Sequence, residues 1–291
     1  MNSEFSAYVS SIIVVCISSL IALACAQGSL QIAGFPVLFI CFGIAFLLQW
    51  LIFIPSFIWE TEHLYDLTGS ITFLIITNIA FYFKNQLINT GLDTRSIILV
   101  ILVSLWAVRL GGFLFIRIQR VGEDRRFREW KKSFPIFFRT WTLQGLWVFI
   151  TSLAALTAIS SQKIVELDIT FYIGLLFWLF GFGFEIIADI QKSRFRDDKK
   201  NKNKFIQSGL WSISRHPNYL GEIILWLGVS IISLPVLESW QYLSLISPIF
   251  VFFLLTKISG IPILEAHSEK KWGTKEEYKI YKKNTHLLFP R

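Results

Sequence analysis

Apolar positions in this chain run on without the polar alternation of a soluble helix or strand. Eight stretches, roughly 8–26, 34–58, 68–83, 96–118, 141–160, 168–190, 217–235 and 241–264, are nearly continuous in Leu, Ile, Val, Phe and Ala. A helix needs about 20 such residues to cross the hydrocarbon core. Length and continuity make each stretch helical. The pattern predicts an all-α, polytopic transmembrane helix bundle of eight spans, or seven if the first or third run fails to cross. Pro55, Pro235, Pro248 and Pro262 fall near span ends or would kink them. The Gly181/Gly183 pair in the sixth run predicts a place where another element packs closely. No soluble second domain or low-complexity linker interrupts the series. Residues 1–291 therefore read as a single transmembrane domain, with 1–60 as its N-terminal spans and 61–291 as the part that carries the candidate chemistry.

Composition supports the same class: 54% of the residues are hydrophobic, only 16% are charged, and the mean hydropathy is +0.56. Trp50, Trp59, Trp141 and Trp240 lie near the ends of apolar runs, where membrane interfaces favour tryptophan. Charge then sets the orientation. Of the 28 Lys and Arg, 24 fall within 117–139, 192–215 and 257–291. With the spans above, those segments share one side, which the positive-inside rule makes cytoplasmic. Eight spans place both termini there, as expected for a multi-pass membrane protein. The net charge of +8 is thus mainly topological, although a basic face also draws an anionic cofactor. The basic residues flank spans and build no separate module, which argues against nucleic acid binding. Cys16, Cys25 and Cys41 have no metal-ligand spacing and read as small apolar residues. The first run lacks a basic n-region, so a retained span is expected over a cleaved signal peptide.

The stretch Phe205–Gly228 gathers the most chemistry. A basic approach ends in Arg215-His216-Pro217-Asn218-Tyr219, and an apolar helix starts there, with Pro in its first turn. Free backbone N–H groups and the positive end of the helix dipole, beside Arg215 and His216, attract phosphate or carboxylate. Asn218 and Tyr219 share a helix face with Glu222. Ionisable groups inside spans are functional candidates by default, which singles out Glu222, Glu185, Asp189 and Arg109, with Glu265 at the end of the last span. Intramembrane ion pairing is the plainer account of Arg109 and Glu185. The run from Asp189 to Arg196 and the run from Arg117 to Arg128 each read either as solvated, topology-setting ends or as phosphate-recognition sites. Between the second and third spans, Glu62, Tyr65 and Asp66 read either as interface and capping residues or as substrate-orienting groups, Tyr65 being the natural acid if a carboxylate orients it. There is no Gly-x-Gly-x-x-Gly, His-Glu-x-x-His or nucleophile elbow.

In the motifs Tyr65-Asp-Leu-Thr-Gly-Ser70, Gly122-Glu-Asp-Arg-Arg126, Glu185-x-x-x-Asp189 with Arg196, Gly209 through Arg215-His-Pro-Asn-Tyr-Leu-Gly-Glu222, and Ser259-Gly-Ile-Pro-x-Leu-Glu265 with Tyr278 and Tyr281, the chain resembles a bacterial member of the steroid 5α-reductase-like membrane reductases. The resemblance covers most of the chain from about Tyr65 onward. Arg-His-Pro-x-Tyr alone also marks sterol reductases and membrane methyltransferases of the isoprenylcysteine type. The resemblance implies a helical membrane enzyme that holds NADPH from the cytoplasmic side. Asp189 and Arg196 would meet the adenosine-phosphate part, and Asn218 and Glu222 the nicotinamide carboxamide. His216, Tyr219, Glu265 and Tyr281 would complete the pocket, with Lys204 and Arg215 in the same cofactor set. Trp106 and Glu185 stand where the animal enzymes have Tyr and Asn.

The implied reaction is reduction of a carbon–carbon double bond conjugated to a carbonyl. NADPH gives hydride to the β carbon, and Tyr65, Asp66, Glu62 and Arg109 are the candidates for handling the substrate oxygen and proton. The expected substrate is a small apolar steroid- or lipid-like molecule entering from the bilayer, where membrane lipids surround a monomeric protein without a metal. Two other classes remain open: a membrane methyltransferase using S-adenosylmethionine, and a non-enzymatic membrane protein whose buried charges are structural.

Overall fold

The computed structural model describes residues 3–88, 93–124 and 126–289. Arg125, part of the Gly122–Arg126 motif, lies outside the described residues. Helices α1 (Ser3–Cys25), α2 (Val37–Ile58), α3 (Tyr65–Leu87), α4 (Thr94–Val121), α5 (Phe134–Ser160), α6 (Ile169–Asp197) and α7 (Pro217–Ser233) follow the first seven apolar runs. The eighth run is broken into a 3-10 stretch (Ser239–Leu245), α8 (Ile246–Phe253), a π turn (Leu254–Ile258) and α9 (Ile261–Trp272). A short helix, α10 (Glu276–Asn284), follows, and a small hairpin, β1 (Gln31–Ile32) with β2 (Phe35–Pro36), precedes α2. Among the described residues, eight helical stretches are long and apolar enough to cross a membrane, and the protein is a multi-pass membrane protein.

Several helices overrun their apolar stretches: α5 starts at Phe134 and α6 continues to Asp197. Hydropathy marks where hydrocarbon begins, whereas a helix can continue into the polar interface with its long basic side chains reaching water. Pro262 sits in the first turn of α9, where its missing N–H had no partner to lose, whereas Pro55 lies inside α2 and removes one intrahelical donor three residues before the helix ends.

The chain divides into two compact units, Met1–Phe171 with Ile232–Ser247 and Tyr172–Ile231 with Pro248–Arg291. In the first, α5 packs against α1, α2, α3 and α4. Fully 83% of its most apolar stretch is buried, against 22% for α1. Small residues allow this: a methyl added at Gly145 would meet the Phe46 ring at 2.9 Å. Gly111 of α4 lies against Ser70 of α3, where a methyl would come within 2.5 Å of the Ser70 side chain.

Polar side chains fasten both ends of this unit. At one end, Glu62 accepts from the Asp124 amide at 2.9 Å and from Lys131 Nζ at 2.9 Å, and His63 Nε2 meets the Gly122 carbonyl at 2.8 Å. At the other, Lys84 Nζ lies 2.6 Å from Asp93 Oδ2, both side chains being buried. Asp93 also caps α4, accepting from the Arg95 and Ser96 amides. Arg95, 1% exposed, donates to the Ile232 and Glu166 carbonyls at 2.7 and 2.8 Å and pairs with Asp168 at 3.3 Å. Burial pushes the Asp93 carboxyl up, but hydrogen bonds from Lys84 and Ser96 outweigh it and hold it below the usual carboxylate range.

In the second unit α6 and α7 meet backbone to backbone. A methyl at Gly181 would lie 2.5 Å from the Leu225 nitrogen, and one at Gly228 would lie 2.6 Å from the Gly174 carbonyl. Gly221 fits against Glu185 in the same way. Gly183, expected to share this role, faces open space. It is two residues from Gly181, about 200° around the helix, and so points away from the seam.

Two measurements check these packing arguments. Gly181→Val or Gly228→Val is expected to cost about 1–3 kcal/mol, several degrees in melting temperature in detergent, while Gly183→Ala is neutral; equal effects at Gly181 and Gly183 would refute the seam. Lys84→Met strands a buried carboxylate and is expected to cost about 3–5 kcal/mol. Lys84→Met/Asp93→Asn, which keeps a capping side chain, should recover part of that loss in the same melts.

Candidate functional site

The second unit brings together the start of α7 and the start of α9. The loop before α7 is built first. Trp211, 3% exposed, donates from Nε1 to the Ala188 carbonyl at 3.0 Å, and Gln191 Oε1 accepts from the Leu210 amide at 2.9 Å, so α6 carries the loop. Gly209 takes a positive φ of 61° with the Gln191 amide against it, a position that favours glycine. Lys192 Nζ rests 4.5 Å from the Trp211 ring centroid. From the C-terminal side, Tyr281 donates to the Trp211 carbonyl at 2.6 Å, Thr285 Oγ1 donates to the Ser212 carbonyl at 3.2 Å, and the Arg215 amide donates to the His286 carbonyl at 2.9 Å. Burial pushes the Tyr281 phenol up, which keeps it a neutral donor.

On this support Arg215 and His216 share one carboxylate. Arg215 Nη1 lies 2.7 Å from Glu265 Oε2, and His216 Nε2 lies 2.8 Å from Glu265 Oε1. Burial draws the His216 imidazole below its ordinary value, while the Glu265 contact works the other way. A neutral ring donating from Nε2 to Glu265 leaves the lone pair on Nδ1. His216 Nδ1 and Arg215 Nε are both buried and make no hydrogen bond. The site therefore keeps one side-chain acceptor and one side-chain donor in reserve beside the α7 N-terminus. The Tyr219 ring lies parallel to His216 at 5.8 Å. A methyl on Gly260, in the break before α9, would come within 2.9 Å of Tyr219 Cε2. The break thus lets Tyr219 approach and starts a fresh helix one turn before Glu265.

The remaining cofactor candidates are placed as follows. Asn218 is half-buried in the first turn of α7, and Glu222, buried, is one turn on, beside the Gly221 seam. Asp189 is buried on α6; Arg196, two turns further, is exposed at its end, and Lys204 is exposed in the next loop. The structure joins Arg215, His216, Tyr219 and Glu265 into one cluster, with Tyr281 bonded to the loop that carries it. Trp211 and Ser214, which help position the loop, lie inside the Gly209–Glu222 motif without a role read for them, and His286 was not singled out. Their work is done by backbone atoms and by a partner segment some 70 residues away. Only the isolated tryptophan in a polar stretch hinted at it.

The other candidates belong to the first unit. Tyr65 donates its hydroxyl to the Thr140 carbonyl at 3.1 Å; the expected geometry, a phenol oriented by a carboxylate, is not the one found. Glu62 is taken up by Asp124 and Lys131, as above. Asp66, in the first turn of α3, pairs with Arg117 at 3.7 Å. Arg109 lies over the Phe113 ring at 5.7 Å. Trp106 is buried edge-on to Phe73.

No curated protein and no solved structure matches the chain. A family model described as a protein of unknown function, DUF1295, matches residues 52–285, and the chain belongs to that family.

Proposed function

We propose that this protein is an NADPH-dependent membrane reductase of a carbon–carbon double bond conjugated to a carbonyl, acting on an apolar steroid- or lipid-like substrate in a bacterial inner membrane. The observation that carries the reading is the Arg215–Glu265–His216 cluster at the start of α7, followed on the same helix by the Asn218 amide and the Glu222 carboxylate. A nicotinamide carboxamide offers two N–H donors and one acceptor, which an amide and a carboxylate four residues apart can satisfy. The buried Arg215 Nε and His216 Nδ1, lacking hydrogen-bond partners, and the positive end of α7 suit the polar, anionic remainder of such a cofactor. The residues present therefore fit NADPH.

Asn218 and Glu222 would hold the carboxamide, with Arg215, His216, Tyr219, Glu265 and Tyr281 around it, and Asp189, Arg196 and Lys204 toward the adenosine phosphate. Bound NADPH supplies hydride. The chain holds the ring in one orientation and keeps Arg215 neutralised in a poorly solvated place, where a stray charge would be costly. Of the candidates for the substrate oxygen, Tyr65 donates to the Thr140 carbonyl, Glu62 accepts from Asp124 and Lys131, and Asp66 pairs with Arg117, all within the first unit. By the positive-inside rule these residues would face the cytoplasm.

Titration of the purified protein with NADPH, NADH and S-adenosylmethionine, followed by thermal unfolding, is expected to raise the melting temperature with NADPH. A rise with S-adenosylmethionine and none with NADPH would mean a methyltransferase instead. Asn218→Ala and Glu222→Ala are each expected to weaken NADPH binding by about tenfold, roughly 1.4 kcal/mol, in protein that still folds. Unchanged affinity in both would remove these residues from the site.

A further inference from the structure

We infer that the lysine-rich face of the second unit is a binding surface for anionic phospholipid headgroups. Stretches 197–204 and 269–283 together hold ten lysines, five carboxylates and no arginine. They are far apart in sequence, and the fold makes them one face. Lys275 Nζ donates to the Asn203 carbonyl at 3.4 Å, and the Phe205 ring lies 5.2 Å from Tyr278 and 6.1 Å from Trp272. Lys271 and Lys275 flank the Trp272 ring at 4.4 and 4.8 Å. Nine of the ten lysines are exposed, Lys282 being half-buried. Lys279 and Lys282 are spent on Glu276 and Glu269. Among the described residues the other eight form no ion pair, so the face carries uncompensated charge.

Its place and chemistry point to lipid. The first stretch leaves the end of α6 and the second leaves the end of α9, both directly after membrane-spanning segments. Span order puts them on the same side: α6 exits, α7 re-enters, and the broken eighth span returns. Clustered lysines just beyond a span attract anionic headgroups, each adding a little, with a reach of about one Debye length, roughly 8 Å in physiological salt. Lysine is a flexible point charge, suited to a fluid array of singly charged phosphodiesters. A fixed phosphate pocket would favour the planar fork of arginine. The arginines nearby, Arg194, Arg196 and Arg215, all lie outside the two stretches. Lys204 alone is shared with the reductase reading, and the other nine lysines have no part in it.

The test uses full-length protein reconstituted in equal phosphatidylcholine and phosphatidylglycerol, then briefly extracted so that the lipid retained on it can be weighed by mass spectrometry. Phosphatidylglycerol is expected to be enriched about threefold or more, with the excess vanishing as salt shortens the screening length. Replacing Lys199, Lys200, Lys202, Lys270, Lys271 and Lys275 together with Gln should return the ratio to that of the bulk. No enrichment in the wild type, or enrichment that survives the substitutions, overturns the proposal. Loss of the lipid to millimolar inorganic phosphate at constant ionic strength also overturns it, in favour of a free-phosphate site. Should the six-fold variant not fold, the salt and phosphate arms on the wild type still decide.

Discussion

The chemistry of the second unit depends on the carboxylate of Glu265. Arg215 is only 14% exposed and sits just before a helix N-terminus, whose own partial charge is positive. Left alone there, a guanidinium would be repelled by the helix end and starved of water. Glu265 neutralises it through one oxygen and with the other fixes the His216 ring, so two residues become usable at a place where neither would be tolerated singly. Everything upstream serves to present that carboxylate. The π turn Leu254–Ile258 absorbs an extra residue, the Ser259–Gly260 break resets the helix, and α9 begins again with Pro262 in its first turn.

The first unit treats its buried charges differently. Lys84, Asp93 and Arg95 are all buried, and their partners are mostly backbone carbonyls and one another. Such a network closes the end of a helix bundle where three connections meet. Its charges are matched locally, Lys84 by Asp93 and Arg95 by Asp168, although Arg95 Nε itself makes no hydrogen bond. At the start of α7 an imidazole nitrogen as well as a guanidinium nitrogen is left over, and both lie beside a helix N-terminus.

Much of this was legible from residue order. Eight apolar runs gave eight membrane-crossing stretches because hydrocarbon leaves the backbone few alternatives to a helix. The Arg215–Glu222 segment stood out because a proline at a helix start and an acid in an apolar turn are visible without a structure. The pairing of Arg215 with Glu265 was not, since it spans 50 residues and carries no local periodicity. Lys84 and Arg95 were read as loop residues because hydropathy ends at the last apolar side chain, while the helices go on. Gly181 was read correctly as a contact and Gly183 was not: one glycine's side of a helix can be told from another's only when the neighbour is known. Tyr65 was left between an interface role and that of an acid oriented by a carboxylate, and its hydroxyl donates to a carbonyl 75 residues on.

The three bonds that tie residues 281–286 back to the loop at 211–215 bear on the order of events during synthesis. The loop leaves the ribosome some 70 residues before its partner does. Through that interval α7 and its neighbours can already be inserted while the approach to the helix has nothing to hold its carbonyls and amide. The polar end of this unit is therefore finished last, by its own tail, after the membrane-embedded portion has been laid down.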